Sequence, residues 1–394
     1  MIETRVSYIY TFTGTAVRVL AIGTTGVNMK PLSAQLERCH REMGRGRLGL
    51  YFVEEELKKE VDWVIFLDSD DYYWQERAWR EAATRAIAKV EEDGAEHAVL
   101  FMNLPYFRKS RFFPAVDISV LRAYRPDVVV TLIEEAHVIW RRIQIREERE
   151  KTGAFLRLKD VFAWRTASIL LGDTIAKALG VSNIVVAVKH PAHVIYRIAL
   201  EGARPRFYLS FPITYVRGDP EARREIDRYR SLMLSKFVAF DPLTMDERVL
   251  RLAKKRGHVA VVEAEERWLL PPGVKPAVED EPELYPMEIP VDQVEEVLLD
   301  IDNLIRFKDF RYILQSDAVA VYRPFMKQMF HRGVFSEIMY ATNTAHKRLF
   351  IYMPPEDRLA GVDSPFGAGV GAVEEDFEKF LAAIEKFASR FSAG

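Results

Sequence analysis

Two apolar runs only five residues long, Ala318 to Tyr322 and Leu349 to Met353, restrict the fold more than anything else in this chain. Each ends on proline, Arg323-Pro324 in one case and Pro354-Pro355 in the other. Runs that short, apolar throughout, suit strands buried on both faces of a parallel sheet. Lys308 to Gln315 precedes the first run with a polar–apolar pattern that fits a helix. Between the runs, Val334, Ile338 and Ala341 recur at helical spacing. The unit reads helix, strand, loop, helix, strand, with a loop from Phe325 to Arg332 delivering the chain to Gly333. Glu337 is expected in the first turn after that loop. Open α/β sheets hold ligands there, outside the carboxyl ends of their strands. A first-turn carboxylate is stabilised as the anion by the helix dipole and unpaired N–H groups, and an ionised Glu in a cleft suits nucleophilic catalysis. Capping alone would also place a Glu there.

The wider pattern adds chemistry. Asp309, then Asp317-Ala-Val-Ala-Val, then Gly333-Val334-Phe-Ser-Glu337-Ile-Met-Tyr-Ala341 and a strand, together with Arg206-Phe-Tyr208-Leu-Ser210-Phe-Pro212-Ile upstream, resembles the nucleoside 2-deoxyribosyltransferases. It is similar as well to their hydrolytic relatives, the 2'-deoxynucleoside 5'-monophosphate N-glycosidases. The resemblance covers about Pro205 to Asp357. It implies Glu337 as nucleophile, Asp309 as helper carboxylate near base and sugar, and Tyr208 beside the nucleophile. Ser210, Pro212, Thr214, Asp241, Arg332 and Gly333 are the accompanying candidates for substrate binding. The transferases carry an Asp shortly before the nucleophile, where this chain has His331 and Arg332, so hydrolysis and transfer both stay open.

At 394 residues the chain is long enough for two domains. The expected class is α/β, with two doubly wound, mainly parallel-sheet domains, Rossmann-like or flavodoxin-like, over residues 1–202 and 203–394. The boundary is placed at Glu201-Gly-Ala-Arg-Pro205, where a helix ends on Gly and Pro precedes a strand. A net charge of −2 gives no pull toward nucleic acid or a membrane surface. No run approaches a membrane span, and the N-terminus lacks the regions of a signal peptide. One cysteine, Cys39, excludes an internal disulfide and a Cys-based zinc site. A cytoplasmic protein without a cofactor is expected. Asn and Gln number only eleven among many charged residues, a thermophile-like bias.

In the first half, Val6 to Phe12 and Val17 to Ile22 are expected strands. The second runs into Gly23-Thr-Thr-Gly26-Val-Asn28-Met29-Lys30, with a helix following, which is the placement of a phosphate loop. Met29 stands where the loop's lysine belongs, and Lys30 where a hydroxyl would bind Mg²⁺. Gly23, Gly26 and Lys30 are therefore read as a degenerate phosphate loop, in a half that resembles a nucleoside or nucleotide kinase. Trp63 to Asp68 is expected as a strand whose end carries Asp68, Asp70 and Asp71, and these either hold Mg²⁺ or cap helices. Arg141, Arg142, Arg146, Arg149, Arg157 and Arg165 either clamp phosphates or pattern a solvated helix face with Glu147, Glu148 and Glu150. No His or Cys spacing points to a metal site.

In the second half, Pro271 to Pro290 reads as a surface excursion or lid. The final helix, Glu374 to Phe391, has an apolar face that must pack on its own chain or on a second subunit. A homodimer is expected. The overall reading is cleavage or transfer at the N-glycosidic bond of a small-molecule nucleoside or nucleotide. The alternatives are a nucleotide-binding sensor without turnover and a kinase that uses Lys30.

Overall fold

The computed structural model describes residues 16–44, 46–113, 115–150, 156–357 and 371–392. The expected strand Val6 to Phe12 and most of the Gly/Ala-rich stretch 360–372 lie outside these residues. The chain is α/β, built on mainly parallel sheets flanked by helices. It divides into two compact units, one of residues 1–202, 249–264 and 277–297, the other of 203–248, 265–276 and 298–394. The chain thus leaves the first unit after Gly202 and returns to it twice, and no local sequence signal marks the returns.

The first unit holds five parallel strands: β1 (Val17–Gly23), β2 (Leu48–Phe52), β3 (His97–Asn103), β4 (Val128–Ile133) and β5 (Ser182–Ala187). Their order is β2-β3-β1-β4-β5. Every side chain of β4 is buried, as its Val/Ile-rich sequence requires of a strand covered on both faces. Helix α1 (Met29–Met43) follows β1, and α2 (Ala136–Glu150) follows β4.

Trp63 to Asp68 is a short helix rather than the expected strand. The Asp62 carboxylate caps it, accepting the Val64 and Ile65 N–H groups at 2.9 Å each. Ile65 is 65% exposed while Phe66 is fully buried, so the run presents one side to the core as a helix does and is not covered on both faces like a central strand. Local capping outweighed the apolar pattern. Two antiparallel pieces carried no clear sequence signal. One is the hairpin Tyr106–Arg108 with Arg111–Phe113, the other the three-stranded sheet Lys254–Arg256, Val259–Val262 and Met287–Pro290. The second corrects the reading of 271–290 as a surface lid. Ala277, Val278, Leu284, Met287 and Ile289 are buried, and the stretch is packed chain.

The second unit has its own parallel sheet: β6 (Arg206–Ser210), β7 (Val238–Phe240), β8 (Ala318–Tyr322), β9 (Arg348–Tyr352) and β10 (Gly371–Glu374). The order is β10-β9-β8-β6-β7. Counted within the unit this is 2-1-3-4-5, so the order reverses between β6 and β8 and opens a crevice at their carboxyl ends. Helix α3 (Pro220–Lys236) joins β6 to β7, α4 (Val291–Gln315) precedes β8, and α5 (Arg332–Asn343) joins β8 to β9. The final helix, Phe377–Ser392, buries Phe380, Leu381 and Ile384 within its own unit. Each such side chain contributes about 1.5–3 kcal/mol. Its apolar face is therefore covered without a second subunit. Among the described residues, no helix is long and apolar enough to cross a membrane.

Candidate active site

Tyr208 and Ser210 are two apart on β6, so both side chains leave the same face of the strand. Both hydroxyls reach Glu337 on α5. Tyr208 Oη donates to Oε1 at 2.9 Å and Ser210 Oγ to Oε2 at 2.5 Å. Each carboxylate oxygen thus accepts one buried hydroxyl, and the head group is fixed in orientation.

Helix α5 begins at Arg332, earlier than the sequence suggested, because His331 is its N-cap. Glu337 is consequently in the second turn, where the dipole has largely faded. Nor is its carboxyl favoured as the anion. Burial pushes it up to about 8, and the neighbouring Asp309 charge adds to the rise. Hydrogen bonds from Ser210 and Tyr208 and the charge of Lys308 oppose that rise without cancelling it. The expectation of a dipole-stabilised, ionised Glu337 is corrected on both counts.

Asp309 lies on α4 and is buried, which raises its carboxyl above the ordinary range. Lys308 moderates this. Its ammonium donates to Asp309 Oδ1 at 2.6 Å and to the Pro242 carbonyl at 2.7 Å. A buried and a half-buried carboxyl under mutual influence titrate as a pair, and the one beside the lysine is the easier to ionise. Tyr208 stays a phenol, because burial and the Asp309 and Glu337 charges all raise it well above its usual value.

Asp309 and Glu337 line one cavity of about 310 Å³ with Pro212, Thr214, Arg332 and Gly333. That volume is at the lower end for small-molecule sites. Arg332 is exposed, and Thr214 Oγ1 accepts a hydrogen bond from Arg248, also on the wall, at 2.8 Å. A Cβ at Gly333 would meet nothing within 4 Å. Gly333→Ala is therefore expected to gain about 0.5–1 kcal/mol of stability, as helical Gly-to-Ala exchanges do, in urea denaturation. A loss would reveal a contact this open position does not show.

Asp241 is a structural residue. Its Oδ1 accepts the Leu243 N–H at 2.9 Å, and Oδ2 pairs with Arg230 at 2.8 Å, both side chains fully buried. Asp241→Ala should cost about 1–3 kcal/mol, again read by denaturation, because the buried guanidinium loses one carboxylate and keeps the other, Asp227, at 2.7 Å. A cost under about 1 kcal/mol would mean water reaches the pair.

Lys308, Arg248 and Arg306 belong to the site and were not singled out from sequence, and His331, also on its wall, was named there only as a departure from the transferase pattern. His331 is buried, with Nε2 3.0 Å from the Met326 carbonyl, and burial lowers its pKa. A lysine or arginine among so many has no local mark of burial, and only the fold selects these.

In the first unit, Gly23 and Gly26 have packing reasons to be glycine. A Cβ at Gly23 would stand 3.0 Å from the Leu132 carbonyl oxygen, and Gly26 has φ +104°. Lys30 points to the surface and pairs with Glu55 at 2.6 Å. Asp68 is taken by Arg108 at 2.6 Å, Asp70 by Arg111 at 2.8 Å, and Asp71 caps the helix Tyr72–Asp93. Among the described residues, no group of three His, Cys, Asp or Glu is placed to hold a metal ion.

No protein-family model matches the chain, and no curated protein matches it. Among solved structures, a sugar kinase from a Janibacter species aligns at 16% identity and TM-score 0.26, over 47% of this chain and 92% of that one. A Chloroflexus aurantiacus protein taken to be a kinase aligns at 15% identity and TM-score 0.29, over 48% and 100%. Scores this low carry no information about function.

Proposed function

We propose that the second unit cleaves the N-glycosidic bond of a nucleoside or nucleotide, with Glu337 as nucleophile. The observation that supports this most is a single carboxyl, on a cavity wall, held by two buried hydroxyls and influenced by a second carboxyl. Two carboxyls whose environments differ are what an oxocarbenium-like displacement needs. Their position outside the carboxyl ends of β6 and β8, where the strand order reverses, suits a ligand site.

The roles follow from the environments. In the resting state near neutrality, Asp309 is the ionised partner of Lys308, and Glu337 holds a proton. For reaction the proton has to leave Glu337, and Asp309 is the acceptor within the cavity. The Glu337 carboxylate oxygen then attacks C1', and the bond from C1' to the base nitrogen breaks with its electron pair going to the base. Protonated Asp309 returns the proton to the departing base. Tyr208 and Ser210 hold the attacking group and stabilise it as the anion. Water then displaces Glu337 from C1' and gives free sugar, whereas a second base would give transfer.

Intact-mass spectrometry after rapid acid quenching tests the covalent step. A 2'-deoxynucleoside or its 5'-monophosphate should leave a glycosyl adduct that maps to the peptide containing Glu337. Base release without any adduct, or an adduct elsewhere, would reject Glu337 as nucleophile.

A further inference from the structure

Arg206, Asp317 and Lys347 meet at the amino edge of the second unit's sheet. Phe207 on β6 pairs with Ala318 on β8, and Ala318 pairs with Arg348 on β9. The residues one position earlier on each segment therefore stand side by side, with Asp317 in the middle. Neighbouring strands lie about 4.8 Å apart, so the Arg206 and Lys347 backbones are separated by about 10 Å. Two long side chains reach across that span. The catalytic cavity lies at the other edge, outside the carboxyl ends of the same strands.

Asp317 is already engaged through both oxygens. Oδ1 accepts from Arg204 Nη2, and Oδ2 accepts from Arg204 Nε at 3.2 Å and from the Arg206 backbone N–H at 2.7 Å. The Arg204 guanidinium also lies over the Phe391 ring, 5.5 Å from its centroid, which keeps it on this pair. The Arg206 side chain, by contrast, donates only from Nε to the Ala203 carbonyl, at 3.1 Å, among the described residues. Its guanidinium and the Lys347 ammonium have no carboxylate of their own there, and Asp317 is the one anion whose charge both feel. Both residues are half-buried. Burial pushes the Arg206 guanidinium down to about 10 and lowers the Lys347 ammonium as well, and the Arg204 charge adds to each fall. Three cations thus share one carboxylate. Charge withdrawn from water is costly unless it is paired, so two such cations side by side call for an anion.

We infer that Arg206 and Lys347, beside the Arg204–Asp317 pair, form a site for a small dianionic oxyanion of the phosphate class. One carboxylate among three cations leaves two positive charges, which a dianion matches. Guanidinium and ammonium groups hold such oxygens through charge-assisted hydrogen bonds. Free phosphate and a phosphate monoester share this chemistry. The site uses no residue of the cavity, so it stands independently of the reaction proposed there.

The test is calorimetric titration of the full chain at constant ionic strength with inorganic phosphate, and separately with glycerol 3-phosphate. The wild type, Lys347→Gln and Arg206→Gln are compared. The wild type should bind phosphate saturably, and each variant at least about tenfold more weakly. Binding of glycerol 3-phosphate as well would identify a monoester as an occupant, and phosphate alone would identify the free ion. Wild-type affinity in both variants would overturn the inference, as would a wild type that binds neither compound. Urea denaturation separates a ligand site from a structural contact. Without phosphate, Lys347→Gln should be at least as stable as the wild type, because it removes a cation that has no counter-charge. Saturating phosphate should stabilise the wild type and not the variant. A variant clearly less stable than the wild type in phosphate-free buffer would overturn the inference too, because the ammonium would then already be matched within the chain.

Discussion

Glu337→Gln is expected to lower base release by at least about a thousandfold, since an amide cannot attack C1' to form the glycosyl ester. Gln keeps the volume, its carbonyl oxygen still accepts from one of the two hydroxyls and its NH2 can donate to the other, so the fold should hold. The variant should also change stability with pH in a definite direction. The folded-state pKa of Glu337 is raised from 4.5 to about 8, so between these values the native state binds the proton more tightly than the unfolded chain. Its contribution is complete below about 4.5 and is lost as pH rises through about 8. The wild type should therefore lose stability over that window relative to Glu337→Gln, which has no such proton. Parallel stability–pH curves would show that the carboxyl is better hydrated than its surroundings imply. Base release undiminished in Glu337→Gln would remove it as nucleophile.

Asp309→Asn carries the second large effect, on rate and on pH dependence together. Losing the group that returns the proton to the departing base should lower the plateau rate by about 10²–10⁴-fold. The pH profile should move as well. In the wild type, base release should fall as pH rises through about 8, because the one proton that Glu337 hands to Asp309 is then lost to solvent and Asp309 has none to return to the base. In the variant, which has no acid there, base release should instead rise with pH as the Glu337 carboxylate forms, with a midpoint below about 8 because the Asp309 charge that raises it is gone. The neutral amide of the variant would leave Lys308 without its carboxylate partner, and that uncompensated cation pushes the midpoint the same way. A lower plateau with the wild-type pH profile would mean that Asp309 acts through substrate placement alone.

How much of this was legible in the sequence depended on whether the signal was local. The strands Ala318–Tyr322 and Arg348–Tyr352 were readable because a strand buried on both faces is written as a continuous apolar run. Glu337 stood out through its place after the loop that follows such a run, and Asp309 only through the resemblance to the deoxyribosyltransferases. Trp63 to Asp68 misled because its apolar pattern says nothing about Asp62, whose carboxylate turned it into a helix. The protonation of Glu337 was misread because a helix-dipole argument is local, whereas burial and the Asp309 charge come from elements far apart in sequence. Asp241 looked like a ligand-binding or turn residue, and its partner Arg230 is eleven positions away on α3. Glu281 sat in a Pro/Glu-rich stretch that reads as solvent-exposed, although its partners Asn28 and Arg142 belong to the first half of the chain. Long-range ion pairs of this kind leave no periodicity to detect.

The most direct measurement incubates the purified chain, near pH 7, with the common 2'-deoxynucleosides and their 5'-monophosphates, and follows free base by chromatography. That pH keeps on the Glu337–Asp309 pair the proton that the departing base receives. The account predicts free base from at least one substrate with the wild type, and none above background with Glu337→Gln. Folded wild-type protein that releases no base from any of them would contradict it.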